Sequence, residues 1–272
     1  MIFATLPIWL SALLVVVLPT ALAMAGTFHV RRWVGYQQLS TNNEVAGFKF
    51  ATIGVIYAVL LAFAVIVVWE RFSDAEDQVV REAGAAATLY RLADGLDGEP
   101  GPTVRRRLTA YLESAVTQDW PAMEDGRADP ATTRAVGDLY AAALTFKPAD
   151  LRGATLMQEL LRQIDYLTEA RRARLVKAAG AVPGLLWYVL FVGAFVTVGF
   201  TFFFGNENVL AQSAMTGALT LLVFSGLFVI VTIDKPFAGV VKVHPEPLIR
   251  IMATIGGPPG SRVEERNPPA AK

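Results

Sequence analysis

The sequence contains no cysteine and only two histidines, His29 and His244. Without cysteine, disulfides, thiol nucleophiles and cysteine metal sites are all excluded. The two histidines are far apart in the sequence, so we do not expect them to share a metal ion. The chain also lacks His-Glu-x-x-His, a phosphate-binding Gly-rich loop with Lys-Ser/Thr, and Gly-x-Ser-x-Gly. We therefore expect no catalytic residues, no metal and no bound cofactor, and an enzyme is the least supported class.

Lys, Arg, Asp, Glu and His are absent from four long apolar runs, residues 6–26, 50–69, 184–204 and 213–233. About 20 helical residues, each rising about 1.5 Å, cross a hydrocarbon core about 30 Å thick. The chain is 54% hydrophobic and 18% charged. We predict an all-α integral membrane protein with four transmembrane helices and a helical cytoplasmic bundle inserted between the second and third.

The first run also lacks the positive n-region of a secretory signal, because no Lys or Arg precedes Arg31. Ala21-Leu22-Ala23 resembles a signal-peptidase site, but the run is longer than a usual signal h-region. We interpret this run as a retained transmembrane helix.

Four domains follow from these runs. Residues 1–69 hold the first transmembrane helix pair, 70–182 the helical cytoplasmic domain, 183–239 the second pair, and 240–272 a C-terminal segment that we expect to be disordered after about residue 256. Lys and Arg are more numerous at the span ends next to 70–182, although Arg31 and Arg32 lie on the other side. The positive-inside rule then places both termini and 70–182 in the cytoplasm of a bacterial inner membrane.

The middle domain reads as helical. We expect the second transmembrane helix to start near Asn42 and to continue beyond the bilayer until the loop at residues 98–102, because nothing breaks it at Trp69. Apolar residues at helical spacing predict further helices after residue 102, after Asp129 and from Leu151 into the third span. Trp120 lies mid-domain and is interpreted as a core residue, with a subunit contact as the alternative.

The spans hold no acid, base or ion pair, and such groups usually carry proton coupling in transporters and pumps. A passive pore needs none, since apolar and hydroxyl side chains can line it and gate it by dewetting. Four helices without polar faces cannot enclose a water path alone. A pore would therefore lie on the axis of a homo-oligomer, with one helix of each subunit lining it.

Two short segments carry a family resemblance. Leu61-Ala62-Phe63 followed by Trp69-Glu70-Arg71 resembles the second-helix pattern of bestrophins, and residues 234–239 (Asp-Lys-Pro-Phe-Ala-Gly) resemble the segment after their last membrane helix. More closely, the chain resembles a bacterial bestrophin-like family of unknown function over about residues 40–250. Bestrophins are pentameric anion channels with cytosolic termini, so the resemblance implies this assembly and small inorganic anions as permeant partners in a lipid bilayer, with no nucleic acid.

The resemblance also assigns residues. A bestrophin-like pore neck would be lined by Thr52, Ile56 and Leu60. The neighbouring face of the same helix competes for this role and is assigned to helix packing or to an alternative pore face. The resemblance also marks an interface motif at the ends of the second and fourth spans. The competing face comprises Gly54, Tyr57 and Leu61; the interface motif comprises Trp69, Glu70, Arg71, Asp234, Pro236, Phe237 and Gly239.

Plainer alternatives stand beside these assignments. All six helix residues could pack or face lipid, and the Asp234 segment could be an ordinary helix exit in which Pro236 ends the helix. The bestrophin calcium clasp does not carry over, because the chain continues after Gly239 as Val240-Val241-Lys242 without its acidic residues. We expect a passive, oligomeric ion channel that favours anions; the alternative is a membrane-anchored interaction or signalling scaffold without transport activity.

Overall fold

The computed structural model of the chain describes residues 7–34, 36–41 and 43–256. Every regular element in these ranges is a helix, as predicted, and the expected disordered tail lies outside them. Two π-helical segments, Leu13–Val17 and Ala115–Asp119, join α-helices, and a 3₁₀ turn, Thr201–Phe203, follows directly on one. The α-helices are α1 Ile8–Ala12, α2 Leu18–Val34, α3 Tyr36–Ser40, α4 Asn43–Ala93, α5 Pro100–Ser114, α6 Trp120–Glu124, α7 Pro130–Leu144, α8 Leu151–Lys177, α9 Gly184–Phe200, α10 Val209–Ile233 and α11 Glu246–Gly256.

Four helical stretches are long and apolar enough to cross a membrane, and each contains most or all of one predicted run. They are Ile8–Val34, Asn43–Ala93, Gly184–Phe203 and Val209–Ile233. A span needs about 20 residues, so the 51 residues of α4 extend well beyond one, as predicted. Asn42, where this helix was expected to start, lies outside the described residues.

The chain forms two compact units. The first consists of Met1–Asp74 with Lys177–Val243, and the second of Ala75–Val176 with His244–Lys272. These limits follow the packing of the helices. The predicted domain limits, after residues 69, 182 and 239, refer to the membrane and stay a prediction.

Small residues let the helices of the first unit approach closely. A Cβ added to Gly217 of α10 would lie 2.8 Å from the Met24 side chain of α2, and one added to Gly26 would lie 2.9 Å from Phe202. The Ser213 hydroxyl donates to the Met24 carbonyl oxygen at 3.2 Å. Such contacts are typical of helices that associate in lipid, where small residues and interhelical hydrogen bonds replace hydrophobic burial.

The second unit has a conventional apolar core. Leu89 of α4, Leu108 of α5, Leu139 of α7 and Ile164 of α8 are all fully buried. Helix α7 begins after Asp129, whose carboxylate accepts from the first two free backbone N–H groups of the helix. The apolar stripes predicted for these helices therefore face a common core, and Trp120 is buried in it, as interpreted from the sequence.

One prediction about these helices is wrong. The helix from Leu151 ends at Lys177 and does not run into the third span, which starts at Gly184. Gly180 has φ +91°, a left-handed conformation that ends a helix and that Gly adopts at no steric cost. Pro183 then stands immediately before α9, where its fixed φ suits a helix start.

Candidate functional site

The proposed neck residues Thr52, Ile56 and Leu60 lie one turn apart along one face of α4. Ile56 is 65% exposed, Thr52 is exposed and Leu60 is half-buried. The Thr52 hydroxyl donates to the Phe48 carbonyl oxygen of its own helix at 3.2 Å. The chain's own helices therefore leave this face largely uncovered, so that a lipid, a second subunit or a pore can lie against it.

The neighbouring face of α4 makes close contacts within the first unit. Tyr57 is 6% exposed, and its hydroxyl donates to the Leu190 carbonyl oxygen of α9 at 3.1 Å. A Cβ added to Gly193 of α9 would lie 2.5 Å from the Tyr57 ring. Leu61 lies against Gly226 of α10, where an added Cβ would lie 2.8 Å from its side chain. These contacts favour packing over the pore for Tyr57 and Leu61.

Gly54, the third residue assigned to the packing face, has a different environment. It is half-buried, and a Cβ added to it would meet nothing within 4 Å. The structure therefore does not bring Gly54 into the close contacts that Tyr57 and Leu61 make.

The part of the interface motif on α4 lies just after the second apolar run. Trp69 is 63% exposed, Glu70 is exposed, and Arg71 is half-buried. An exposed Trp at the end of an apolar run is typical of the headgroup layer, where its amphipathic ring is favoured.

The other part of the motif, at the end of α10, is folded back into the first unit. Asp234 is 6% exposed and Phe237 is fully buried. Pro236 is buried, and its carbonyl oxygen accepts from the Val243 N–H at 2.7 Å. Gly239 has φ +90°, which suits the reversal of the chain. The predicted residues of this segment are thus brought together in one compact turn.

Asp234 makes contacts that the sequence did not reveal. Its carboxylate Oδ1 accepts from the backbone N–H groups of Ala181 at 3.0 Å and Val182 at 2.8 Å. A Cβ on Gly180 would lie 3.2 Å from the other carboxylate oxygen. We call this arrangement, Asp234 with Ala181 and Val182, the Asp234 clamp. It joins the end of the fourth span to the residues before the third, so the segment is more than a simple helix exit.

The second unit contains a buried ion-pair network of Glu82, Asp119, Arg171 and Arg174, with Tyr111 attached. The Arg174 guanidinium donates to both Glu82 carboxylate oxygens, at 2.8 and 3.1 Å, and to Asp119 at 3.2 Å. Arg171 donates to both Asp119 oxygens, at 2.8 and 3.0 Å. The Tyr111 hydroxyl donates to Glu82 at 2.6 Å. Two carboxylates and two guanidinium groups balance, as burial of charge requires.

Burial and neighbouring charge set the protonation of this network. Burial raises the pKa of the Tyr111 phenol well above its ordinary value, and the Glu82 charge raises it further. Burial acts to lower the pKa of Arg174, but the Glu82 and Tyr111 groups and Asp119 raise it above its ordinary value. Arg174 is therefore a cation and Tyr111 a neutral donor at neutral pH.

This network was not predicted from the sequence. In the sequence, Arg171 and Arg174 are two of several basic residues in the segment before the third span. In the structure, Leu160, Ile164 and Leu167 are buried, and the same stripe continues through Arg171 and Arg174, whereas Leu175 is half-buried. The network could have been suspected from the spacing of the buried leucines and isoleucine by three and four residues, because continuing that spacing places the two arginines on the core face of α8. Across the described ranges, no cluster of three or more His, Asp or Glu side chains could hold a metal ion.

Comparisons with known proteins agree with this architecture. A family model described as a Bestrophin-like domain matches residues 17–248. A crystal structure of a bacterial bestrophin homologue from Klebsiella pneumoniae is 17% identical, with a TM-score of 0.66, and the match covers 88% of this chain and 95% of that chain. Two single-substitution variants of a bacterial bestrophin homologue from the same organism are also similar. The first is 18% identical, with a TM-score of 0.65, and the match covers 91% of this chain and 97% of that chain. The second is 17% identical, with a TM-score of 0.69, and the match covers 88% of this chain and 95% of that chain. No curated protein matches the chain. The chain therefore shares the fold of these structures.

Proposed function

The chain belongs to the bestrophin-like family, and from this premise we propose that it acts as a passive ion channel in the membrane. Its four apolar spans carry no Lys, Arg, Asp, Glu or His within the predicted runs, which disfavours coupled transport and leaves passive permeation. The proposal that small inorganic anions such as chloride pass through it is the finer part and rests on the resemblance to bestrophins.

The observation that carries the proposal is the uncovered face of α4. Thr52, Ile56 and Leu60 are left largely free by the helices of their own chain, while Tyr57 and Leu61 on the neighbouring face are engaged. We propose that five copies of the chain surround an axis and that this uncovered face lines a neck. Apolar side chains there would gate the passage by excluding water, and Thr52 would supply a hydroxyl at one end.

We further propose that both termini and residues 70–182 lie in the cytoplasm of a bacterial inner membrane. The cysteine-free sequence allows a direct test, since one introduced cysteine is the only thiol. Leu151, which is 84% exposed, is a suitable site. L151C should react with a membrane-impermeant maleimide only after spheroplasts are opened; reaction in intact spheroplasts would contradict the orientation.

The first experiment is the subunit stoichiometry of the detergent-purified protein, by native mass spectrometry or mass photometry. A closed pentamer is expected. A monomer or dimer would leave no axis for a pore and would contradict the channel. The scaffold alternative would then lead, and residues 70–182 would be the region to use in partner capture.

The second experiment is anion flux from liposomes containing the purified protein. Ile56→Ala and Leu60→Ala should change the chloride flux without changing the stoichiometry, because both widen the proposed neck. Leu222→Ala is the matched control, since Leu222 is 71% exposed on α10 and the substitution is the same. Unchanged flux in both neck variants, or an equal change in the control, would contradict the assignment of this face.

A further inference from the structure

A cavity lies beside the Asp234 clamp in the first unit. Its volume is about 270 Å³, and its walls come from α1, α9, the end of α10 and the turn that follows it. The walls are mainly apolar, with Trp187 and Phe191 on α9 and Val231 on α10. The volume is close to the lower end of the range for ligand pockets, about 300 to 1,000 Å³, which suits part of a flexible chain better than a large ring system.

The cavity contains one buried hydroxyl without a partner among the residues that the structure describes, and one lysine. Ser11 of α1 is 4% exposed, and its hydroxyl oxygen has no hydrogen-bond partner there. A buried hydroxyl without a partner is costly, so a ligand that accepts a hydrogen bond would remove this cost. A half-buried lysine, Lys235, also lines the cavity.

Asp234 and Lys235 both line the cavity, but they do not form an ion pair with each other. The carboxylate of Asp234 already accepts from two backbone N–H groups, and no ion pair joins it to Lys235. The ammonium of Lys235 therefore remains available to an anion. The cavity thus offers an unpaired cation and a hydroxyl, beside a carboxylate whose Oδ1 is already held by two backbone N–H groups. The cation and the hydroxyl are complementary to an amphiphile with an anionic head.

The position of the cavity identifies the source of such a molecule. Asp234 and Lys235 directly follow the fourth apolar run, and Trp187 stands near the start of the third. Charged residues and Trp at span ends mark the headgroup layer. Lys235 is thus at the depth of lipid phosphates, while Phe191 and Val231 lie further into the spans, at the depth of acyl chains.

We propose that this cavity binds one anionic phospholipid of the bilayer, with its phosphate on Lys235, a hydrogen bond from Ser11 and part of one acyl chain against Phe191 and Val231. Anionic headgroups attract a nearby lysine by an energy that corresponds to about fivefold in affinity. The site is independent of the proposed channel activity, because binding is measured directly.

The test is native mass spectrometry of the detergent-purified full chain, titrated with phosphatidylglycerol or with phosphatidylcholine that has the same acyl chains. The wild-type chain should bind the anionic lipid about fivefold more tightly. Lys235→Gln should abolish this preference, and Lys235→Arg, which keeps the charge, should retain it. Lys49→Gln is the matched control, because Lys49 is an exposed lysine on α4 outside the cavity, and it should leave the preference unchanged.

Several outcomes would overturn the proposal. Equal binding of the two lipids by the wild type, or a preference that survives Lys235→Gln, would show that Lys235 does not select the headgroup. Ser11→Ala should weaken both lipids about equally, by roughly twofold to tenfold, and no change would remove Ser11 from the site. Glycerol phosphate, which has the headgroup without chains, should not compete at equal concentration; equal competition would assign the site to free anions.

Discussion

Replacing Arg174 by methionine is expected to destabilise the second unit strongly. Arg174 is fully buried and donates to both Glu82 and Asp119. Without it, two buried carboxylates share the single guanidinium of Arg171. Removing one partner of a buried ion pair costs about 3–5 kcal/mol, because the remaining charge is buried without compensation. The unfolding midpoint should fall by about 10 °C.

A double variant separates this electrostatic cost from lost packing. Glu82→Gln alone leaves an excess positive charge, whereas Glu82→Gln with Arg174→Met restores neutrality and keeps the bidentate pair of Arg171 with Asp119. The glutamine also keeps an oxygen that can accept from the Tyr111 hydroxyl. The double variant should therefore cost less than the sum of the single variants, by at least about 1 kcal/mol.

The assay is thermal unfolding of the full chain in detergent, followed by far-ultraviolet circular dichroism. Arg172→Met is the matched control, because Arg172 is exposed on the same helix and its loss should change stability by no more than about 0.5 kcal/mol. The reasoning would be refuted if Arg174→Met unfolded like the control. It would also be refuted if the double variant cost the full sum of the singles.

Three further predictions concern hydrogen bonds and close contacts. Because the pKa of Tyr111 is raised in the folded chain, the stability that this tyrosine contributes is fully present below the unfolded pKa of about 10 and is lost as the pH rises above it. Tyr111→Phe should lower the unfolding midpoint at pH 7 and reduce the loss of stability above pH 10. An equal loss in the wild type and the variant above pH 10 would contradict this. Gly193→Ala should reduce the folded peak in size-exclusion chromatography, because the methyl would lie 2.5 Å from the Tyr57 ring. Gly199→Ala on the same helix is the control and should leave the peak unchanged, because its methyl meets nothing within 4 Å. Equal peaks for the two variants would argue against this contact. Asp234→Ala should lower the free energy of unfolding by about 1–3 kcal/mol, since two backbone N–H groups lose their acceptor. Asp234→Asn keeps an acceptor oxygen and should therefore unfold at a higher temperature than Asp234→Ala. The reverse order would refute the clamp.

The spans and most helices could be predicted from local pattern. An uncharged apolar run of about 20 residues has few alternatives to a membrane helix. Apolar residues at three-and-four spacing predicted the helices of the second unit, whose core includes Leu108 and Ile164. The break between α8 and α9, at Gly180 and Pro183, was missed. Only the structure gives the positive φ that makes Gly180 a stop.

The contacts that define the sites join residues far apart in the sequence, and for this reason local pattern could not reveal them. Glu82 and Arg174 are 92 residues apart, and Asp234 and Ala181 are 53 apart. From sequence alone, a carboxylate is interpreted first as a solvated surface charge, since most Asp and Glu side chains are exposed. The proposed neck residues could be named only through the family resemblance, and their role stays a prediction.

The Asp234 clamp has a consequence for biosynthesis. A chain is made from its N-terminus, so the backbone N–H groups of Ala181 and Val182 emerge from the ribosome 52 to 53 residues before the carboxylate that binds them. The start of the third span must therefore wait for the whole fourth span to be synthesised before it is fixed. The contact that fixes the last helix pair is made by the end of the fourth span, and a chain that stops short of residue 234 would lack the two hydrogen bonds that join this pair.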